Sequence, residues 1–222
     1  MIIEPLTKSI KFPAGFSQEL YPVFRAVVGN PRRLLDPFAG QGGIFHLQQW
    51  LPHTEIIGLE IEPKFAALHS RLTLGNALDI DYPDGYFDCV CTSPTYGNRM
   101  ADHHDAKDGS HRITYRHAVG EPLSQDNSGQ LQWGPKYRDF HVAAWIEVYR
   151  VLETSGRFIL NIGNHIRKGE EQKVSEWHVE TIKRLGFEHF FSIRVNTKKM
   201  KYGANHHLRI DHEMIHVFEK EG

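Results

Sequence analysis

The chain has 222 residues, 40% of them hydrophobic and 24% charged, and a formal net charge of −1. Such a length holds one large domain, or one domain with an insertion, of ordinary globular composition. The near-neutral balance excludes a whole-molecule positive field as the grip on a polyanion, and no uninterrupted apolar run reaches the roughly 20 residues that span a bilayer.

Residues 1–5 lack the basic flank and apolar core of a secretory signal. The two cysteines, Cys89 and Cys91, stand on one face of a predicted strand. That spacing suits buried, reduced side chains better than a disulfide, so a cytoplasmic protein is expected.

Residues 33–38 read as a short buried strand, followed by a glycine-rich turn at 40–43 and a helical stretch over 44–51. A second strand spans 55–60. Pro63 opens a helix through residue 72, with Phe65, Leu68 and Leu72 on one face. A third strand is expected around 75–80 and a fourth over 87–92, entered through the turn Pro83-Asp84-Gly85. Residues 97–136 have no sustained period and are too many for a simple loop, which points to a functional insertion, about 97–137. A helix over 138–152 follows, its apolar face given by Phe140, Ala143, Ala144, Ile146, with Val148 and Tyr149, and Val151. Then come a strand over 157–162, a helix over 174–185 stopped by Gly186, and last strands over 188–195 and 211–218. Strands alternating with helices predict an α/β fold with a doubly wound, mainly parallel sheet.

Such a sheet binds ligands beyond the carboxyl ends of its strands. Asp36 ends the first strand, and Gly40, Gly42 and Gly43 let the backbone turn sharply and approach a ligand. Glu60 ends the second strand, 24 residues after Asp36, where a carboxylate accepts from both hydroxyls of a ribose. Phe45 stands where a G-x-G-x-x-G pattern needs its third glycine, which favours a nucleoside cofactor over a dinucleotide. A structural turn with a surface Glu60 is the plainer alternative.

Thr92-Ser93-Pro94-Thr95-Tyr96 follows the fourth apolar run and places a hydroxyl, a proline and an aromatic ring just past a strand. With it, the chain resembles the amino methyltransferases of DNA, which carry an S/N/D-P-P-Y/F/W motif. Asp36-Pro37-Phe38-Ala39-Gly40-Gln41-Gly42 is similar to their D-P-F-x-G-x-G cofactor motif. Phe12-Pro13-Ala14-Gly15-Phe16-Ser17 looks like their P-A-x-F-P element, and Gly75-Asn76-Ala77-Leu78-Asp79 like their G-D-A adenine loop. Residues 145–160 resemble a further block, W-x-x-x-x-R-V-L…G-G-R-x-x-L.

The resemblance implies a Rossmann-like class I methyltransferase, seven-stranded with an antiparallel last strand. It implies S-adenosylmethionine as cofactor, with Phe16, Ser17, Asp36, Pro37, Phe38, Gly40, Gly42, Glu60, Asn76 and Ala77 around it. The reaction is methyl transfer to cytosine N4 or adenine N6 of double-stranded DNA, on a base flipped from the helix. Ser93 (hydroxyl) and Pro94 (carbonyl) accept from the amine, and Tyr96 stacks on the base. Two residues depart from the pattern: Thr95 replaces a proline, and Asn76 replaces an aspartate. Arg99, Arg112 and Arg116 in the insertion, with Lys199 and Lys201 in a basic segment, are candidate DNA contacts.

A metal site at Asp102, His103, His104, Asp105 and His111 fits no common ligand spacing, so no metal is expected. An orphan or phage-like modification enzyme of a bacterial or phage-infected cell, monomer or homodimer, is the implied setting. RNA guanine-amine methylation, protein glutamine methylation and a non-catalytic cofactor- or DNA-binding relative remain as alternatives.

Overall fold

A computed structural model of the protein describes residues 15–98, 115–198 and 208–222. Its strands are β1 (Arg33–Asp36), β2 (Glu55–Glu60), β3 (Leu72–Leu74), β4 (Phe87–Thr92), β5 (Leu152–Ile162), β6 (His165–Arg167), β7 (Glu170–Gln172), β8 (Phe187–Asn196) and β9 (His212–Lys220). Seven of them form one sheet in the order β3-β2-β1-β4-β5-β9-β8, while β6 and β7 make a separate hairpin. Neighbours from β3 to β5 pair in parallel. The last strand, β9, is antiparallel to both β5 and β8. This is the expected α/β architecture, with the antiparallel last strand slotted inside the sheet.

Strands buried on both faces carry near-continuous apolar runs, and here each face has its own layer. Leu34, Cys89, Cys91 and Ile159 pack with Tyr21, Phe24, Val27 and Val28 of helix α1 (Tyr21–Val28). Leu35, Val90, Phe158 and Leu160 face the other way, toward α4 (Pro135–Val151) and α5 (Val174–Arg184). Two short α-helices, α2 (Pro63–Ala66) and α3 (Tyr115–Val119), and 3₁₀ turns at Gln18–Leu20 and Ser128–Gln130 also occur among the described residues. Among the described residues, no helix is long and apolar enough to cross a membrane.

Several expectations are corrected. The helix expected over 63–72 is the single turn α2, because Leu72, which helical spacing claimed, pairs with Gly58 in the sheet. The third strand therefore lies at 72–74 and not 75–80. Residues 76–79 form a turn in which Asn76 Oδ1 accepts from Leu78 N at 2.9 Å, as a turn asparagine does. The stretch after the glycine turn is a 3₁₀ helix, Gly43–Gln49. On α4 the buried stripe is Tyr137, His141, Ala144, Trp145, Val148 and Val151, and Ile146 faces outward. Helix α1 and the β6–β7 hairpin were not anticipated.

Candidate active site

The carboxyl ends of β1, β2 and β4 lie side by side, because parallel pairing in register matches Asp36 with Gly58 and Leu35 with Val90. A cavity of about 340 Å³ opens there. Because β9 runs antiparallel, its beginning reaches the same edge of the sheet. Residues from four strands therefore line one space: Glu60 (β2), Ser93 just past β4, Asn161 (β5) and Glu213 (β9).

On the nucleoside side, Phe16, Pro37, Phe38, Gly40, Glu60, Asn76 and Ala77 all line the cavity. Ser17, Asp36 and Gly42 do not. Ser17 opens a 3₁₀ turn, accepting from Leu20 N. Gly42 has φ 84°, a left-handed conformation that glycine adopts without strain, and so turns the chain into the 3₁₀ helix.

Asp36 lies fully buried beneath the cavity floor. Its Oδ1 accepts from Phe38 N at 3.0 Å and from Thr92 Oγ1 at 2.5 Å. Its Oδ2 has no hydrogen-bond partner among the described residues. Burial pushes its pKa up to about 7 against the pull of those two donors. Glu60 is likewise pushed up to about 7 by burial, although its Oε1 accepts from Glu62 N at 2.8 Å.

This donor set fits a nucleoside cofactor. Glu60 offers acceptors for hydroxyls, Phe38, Ala77 and Phe140 supply apolar wall, and glycine backbone leaves room for close approach. Asn76 is held on both sides: Oδ1 by Leu78 N, and Nδ2 by donating to Asp126 Oδ2 at 3.0 Å. Asp126, Asn127 and Ser128 line the cavity as well.

On the chemical side, Ser93, Pro94, Thr95 and Tyr96 line the same cavity. Ser93 Oγ lies 3.1 Å from Tyr96 Oη. Tyr96 Oη donates to Glu213 Oε2 at 2.8 Å. Asn161 Nδ2, with two protons to give, lies 2.7 Å from Glu213 Oε2, 2.9 Å from Tyr96 Oη and 3.1 Å from Ser93 Oγ. Burial first, and the adjacent Glu213 carboxylate second, hold the Tyr96 phenol well above its ordinary pKa. Its ring lies over Gly163, where a Cβ would come within 3.1 Å of it.

Beneath the motif runs a second chain of bonds. Trp145 Nε1 donates to His178 Nδ1 at 3.0 Å, and an indole can only donate. His178 therefore carries its proton on Nε2 and donates to Tyr137 Oη at 2.9 Å, and Tyr137 Oη donates to Thr95 O at 2.7 Å. Burial keeps His178 neutral, its pKa well below the usual value.

Arg116 lies on α3. Arg99, Arg112, Lys199, Lys201, the histidine-rich stretch and Phe12-Pro13-Ala14 fall outside the described residues. Sequence reasoning missed Asn161, Glu213, Tyr137, His178 and Asp126. Asn161 had a signal, as a lone amide inside the apolar run Phe158-Ile159-Leu160-Asn161-Ile162.

Known structures share the fold at low identity. The [4+2]-cyclase SpnF matches with TM-score 0.59 and 14% identity, covering 98% of this chain and 89% of that one. N-methyltransferase NodS from Bradyrhizobium japonicum matches at 0.57 and 9%, covering 92% and 96%. A SAM-dependent methyltransferase from Methanosarcina mazei matches at 0.56 and 13%, covering 91% and 98%. At such identity these likenesses speak for the fold alone. No curated protein sequence matches the chain. The N6/N4 methyltransferase family model, described as DNA methylase, matches residues 87–222. That span is more than half of the chain and holds the Ser93–Tyr96 motif, Asn161 and Glu213, so this protein belongs to that family of S-adenosylmethionine-dependent methyltransferases.

Proposed function

We propose that the protein methylates the exocyclic amine of a flipped base in DNA, cytosine N4 or adenine N6. The observation that carries this reading is the shared cavity: Glu60 and Asn76 line it together with Ser93, Pro94 and Tyr96. S-adenosylmethionine supplies an electrophilic methyl group on sulfur. Glu60 accepts from the ribose hydroxyls, Asn76 and Ala77 flank the adenine, and Phe16, Phe38 and Gly40 border the rest of the cofactor. Asp36 acts from below, fixing the turn through Phe38 N.

An exocyclic amine is a poor nucleophile because its lone pair is conjugated into the ring. Ser93 Oγ and the Pro94 carbonyl accept from its two N–H groups, which pyramidalises nitrogen and directs the lone pair outward. Tyr96 stacks on the base, a contact worth roughly 1–3 kcal/mol. Most of the acceleration comes from alignment of the reacting atoms. The chain acts as one catalytic domain, and its insertion, about 97–137, is the target-recognition element. Arg99, Arg112 and Arg116, with Lys199 and Lys201, contact phosphate or base edges.

The test uses labelled S-adenosylmethionine with unmethylated genomic DNA and, in parallel, total RNA, followed by digestion to nucleosides and mass spectrometry. Wild type labels N4-methylcytosine or N6-methyladenine, and Ser93→Ala loses about a hundredfold or more in rate. Label in RNA alone moves the substrate to RNA, and label independent of Ser93 removes the proposed role of the motif. In binding titrations, Arg112→Ala with Arg116→Ala weakens DNA affinity and lowers the salt slope by about 1 for each phosphate no longer neutralised. An unchanged slope takes DNA contact away from the insertion arginines.

A further inference from the structure

A hydroxyl both donates and accepts. Ser93 helps an amine only as an acceptor. If its O–H pointed into the cavity, it would donate to the nitrogen lone pair that must attack the methyl group. Something must therefore fix which way the Ser93 proton points. We propose that Glu213 does so through Tyr96 and Asn161, so that Ser93 meets the substrate amine as an acceptor only. This inference rests on the methyltransferase reading of Ser93 and adds to it a positioning residue from β9, the strand beside β5.

The bonding follows from one fact, that a carboxylate only accepts. Tyr96 has a single proton, and it goes to Glu213 Oε2 at 2.8 Å. Toward Ser93, Tyr96 Oη then offers lone pairs alone. In the 3.1 Å contact between them, Ser93 must be the donor. With its proton committed to Tyr96, Ser93 has only lone pairs left. One faces Asn161 Nδ2 at 3.1 Å, and the other is free for the cavity that Ser93 lines.

Asn161 is locked by the same carboxylate. Its Nδ2 donates to Glu213 Oε2 at 2.7 Å, and swapping the amide would set Oδ1 against a negative charge. The orientation is kept although Oδ1 is buried without a hydrogen-bond partner among the described residues. The raised Tyr96 pKa keeps the phenol protonated, as this chain of donors requires. Glu213 is itself buried, 7% exposed, which strengthens its hold on donors.

The test separates polarity from packing with the full-length protein. Glu213→Met removes the acceptor and keeps bulk. Tyr96→Phe keeps the stacking ring and frees the Ser93 proton. Glu213→Gln keeps a carbonyl oxygen where Oε2 stands, so both Tyr96 and Asn161 can still donate to it, while its NH₂ faces Thr197 Oγ1, now 3.4 Å from Oε1. With unmethylated genomic DNA, Glu213→Met and Tyr96→Phe lower kcat by about tenfold or more, with KM for DNA and cofactor within about twofold, and Glu213→Gln recovers most of that loss.

A second readout needs neither DNA nor cofactor. In protein labelled at the tyrosine Cζ, NMR detects the Tyr96 hydroxyl proton as a slowly exchanging downfield signal, assigned by its absence in Tyr96→Phe. The signal persists in Glu213→Gln and is lost in Glu213→Met. Wild-type turnover in both Glu213→Met and Tyr96→Phe overturns the inference. So does a Glu213→Gln variant as impaired as Glu213→Met, which would assign the effect to charge. A wild type that methylates no nucleic-acid amine sinks the underlying reading instead, and the NMR result still decides the hydrogen-bond direction.

Discussion

Thr95 stands where the family motif has its second proline, and its environment explains what a threonine does there. A proline stiffens the backbone but offers no donor. Thr95 Oγ1 lies 3.1 Å from both Ser128 O and Ser128 Oγ and shares its one proton between them. The side chain thus fastens the Ser93–Tyr96 loop to Ser128. Its own carbonyl is gripped from below by Tyr137. What the loop loses in proline stiffness it regains through two anchors in other elements. Thr95→Val keeps the shape and deletes the donor, leaving two Ser128 acceptors without it. The expected cost is about 1 kcal/mol, or roughly 2–4 °C in the thermal midpoint for a chain of this length. A midpoint equal to wild type in a melting scan would mean that the hydroxyl contributes nothing and that the substitution is neutral.

At the scale of elements, the segment 124–130, which ends in the 3₁₀ turn Ser128–Gln130, is held by a buried carboxylate. Glu62, 3% exposed, accepts from Ser124 N at 2.7 Å, Ser124 Oγ at 3.2 Å and Asn127 Nδ2 at 2.6 Å. The same segment presents Asp126 to Asn76 and Ser128 to Thr95, so Glu62 keeps one wall of the cavity in place. Glu62→Ala leaves those donors unmet in a buried site. Hydrogen exchange of the amides over 124–130 then accelerates about tenfold or more, while β1, β4 and β5 keep their protection. Uniform loss of protection would instead make Glu62 a global stability residue. Little of this was legible beforehand, for a physical reason. Strand and helix periods, the Asp36–Gly42 turn and the Ser93–Tyr96 motif are local patterns, and they led to the sheet and to Phe16, Phe38, Glu60, Asn76 and Ser93, which line the cavity. Glu62, Asn161, Glu213 and His178 act through partners 33 to 68 positions away, and no local pattern marks such pairs. The α2 error has the opposite origin: Leu72 fits a helical face well, but strand pairing with Gly58 outweighs it.

For the molecule as a whole, the site's buried titratable groups shape the pH dependence of folding, and they pull in opposite directions. Asp36 and Glu60 have native pKa values of about 7, against ordinary values of 3.8 and 4.5, chiefly through burial. Between those limits the native state holds two protons that the unfolded chain has released, so their contribution to stability is full at low pH and is lost as pH rises toward 7. Four buried or half-buried histidines do the reverse. His141, His165 and His216 are lowered to about 4, and His178 further, all chiefly by burial. An unfolded histidine binds its proton below 6.5, so their contribution is present above that value and lost as pH falls. From about pH 5 to about 6.5 these four histidines hold their protons in the unfolded state against the two carboxylate protons of the native state. His69 and His189, also lowered by burial, add to the same side, and stability rises with pH. Between about 6.5 and 7 only the carboxylates still differ, and stability falls before levelling off. The cofactor-free protein should therefore be most stable near neutral pH. Asp36→Asn combined with Glu60→Gln should steepen the rise and abolish the decline. Thermal midpoints from pH 5 to 8 decide it. A wild-type curve that climbs steadily through pH 8 would mean that both carboxylates are ionised in the native state, and Asp36 would then need a cation or donor that its buried surroundings do not show among the described residues.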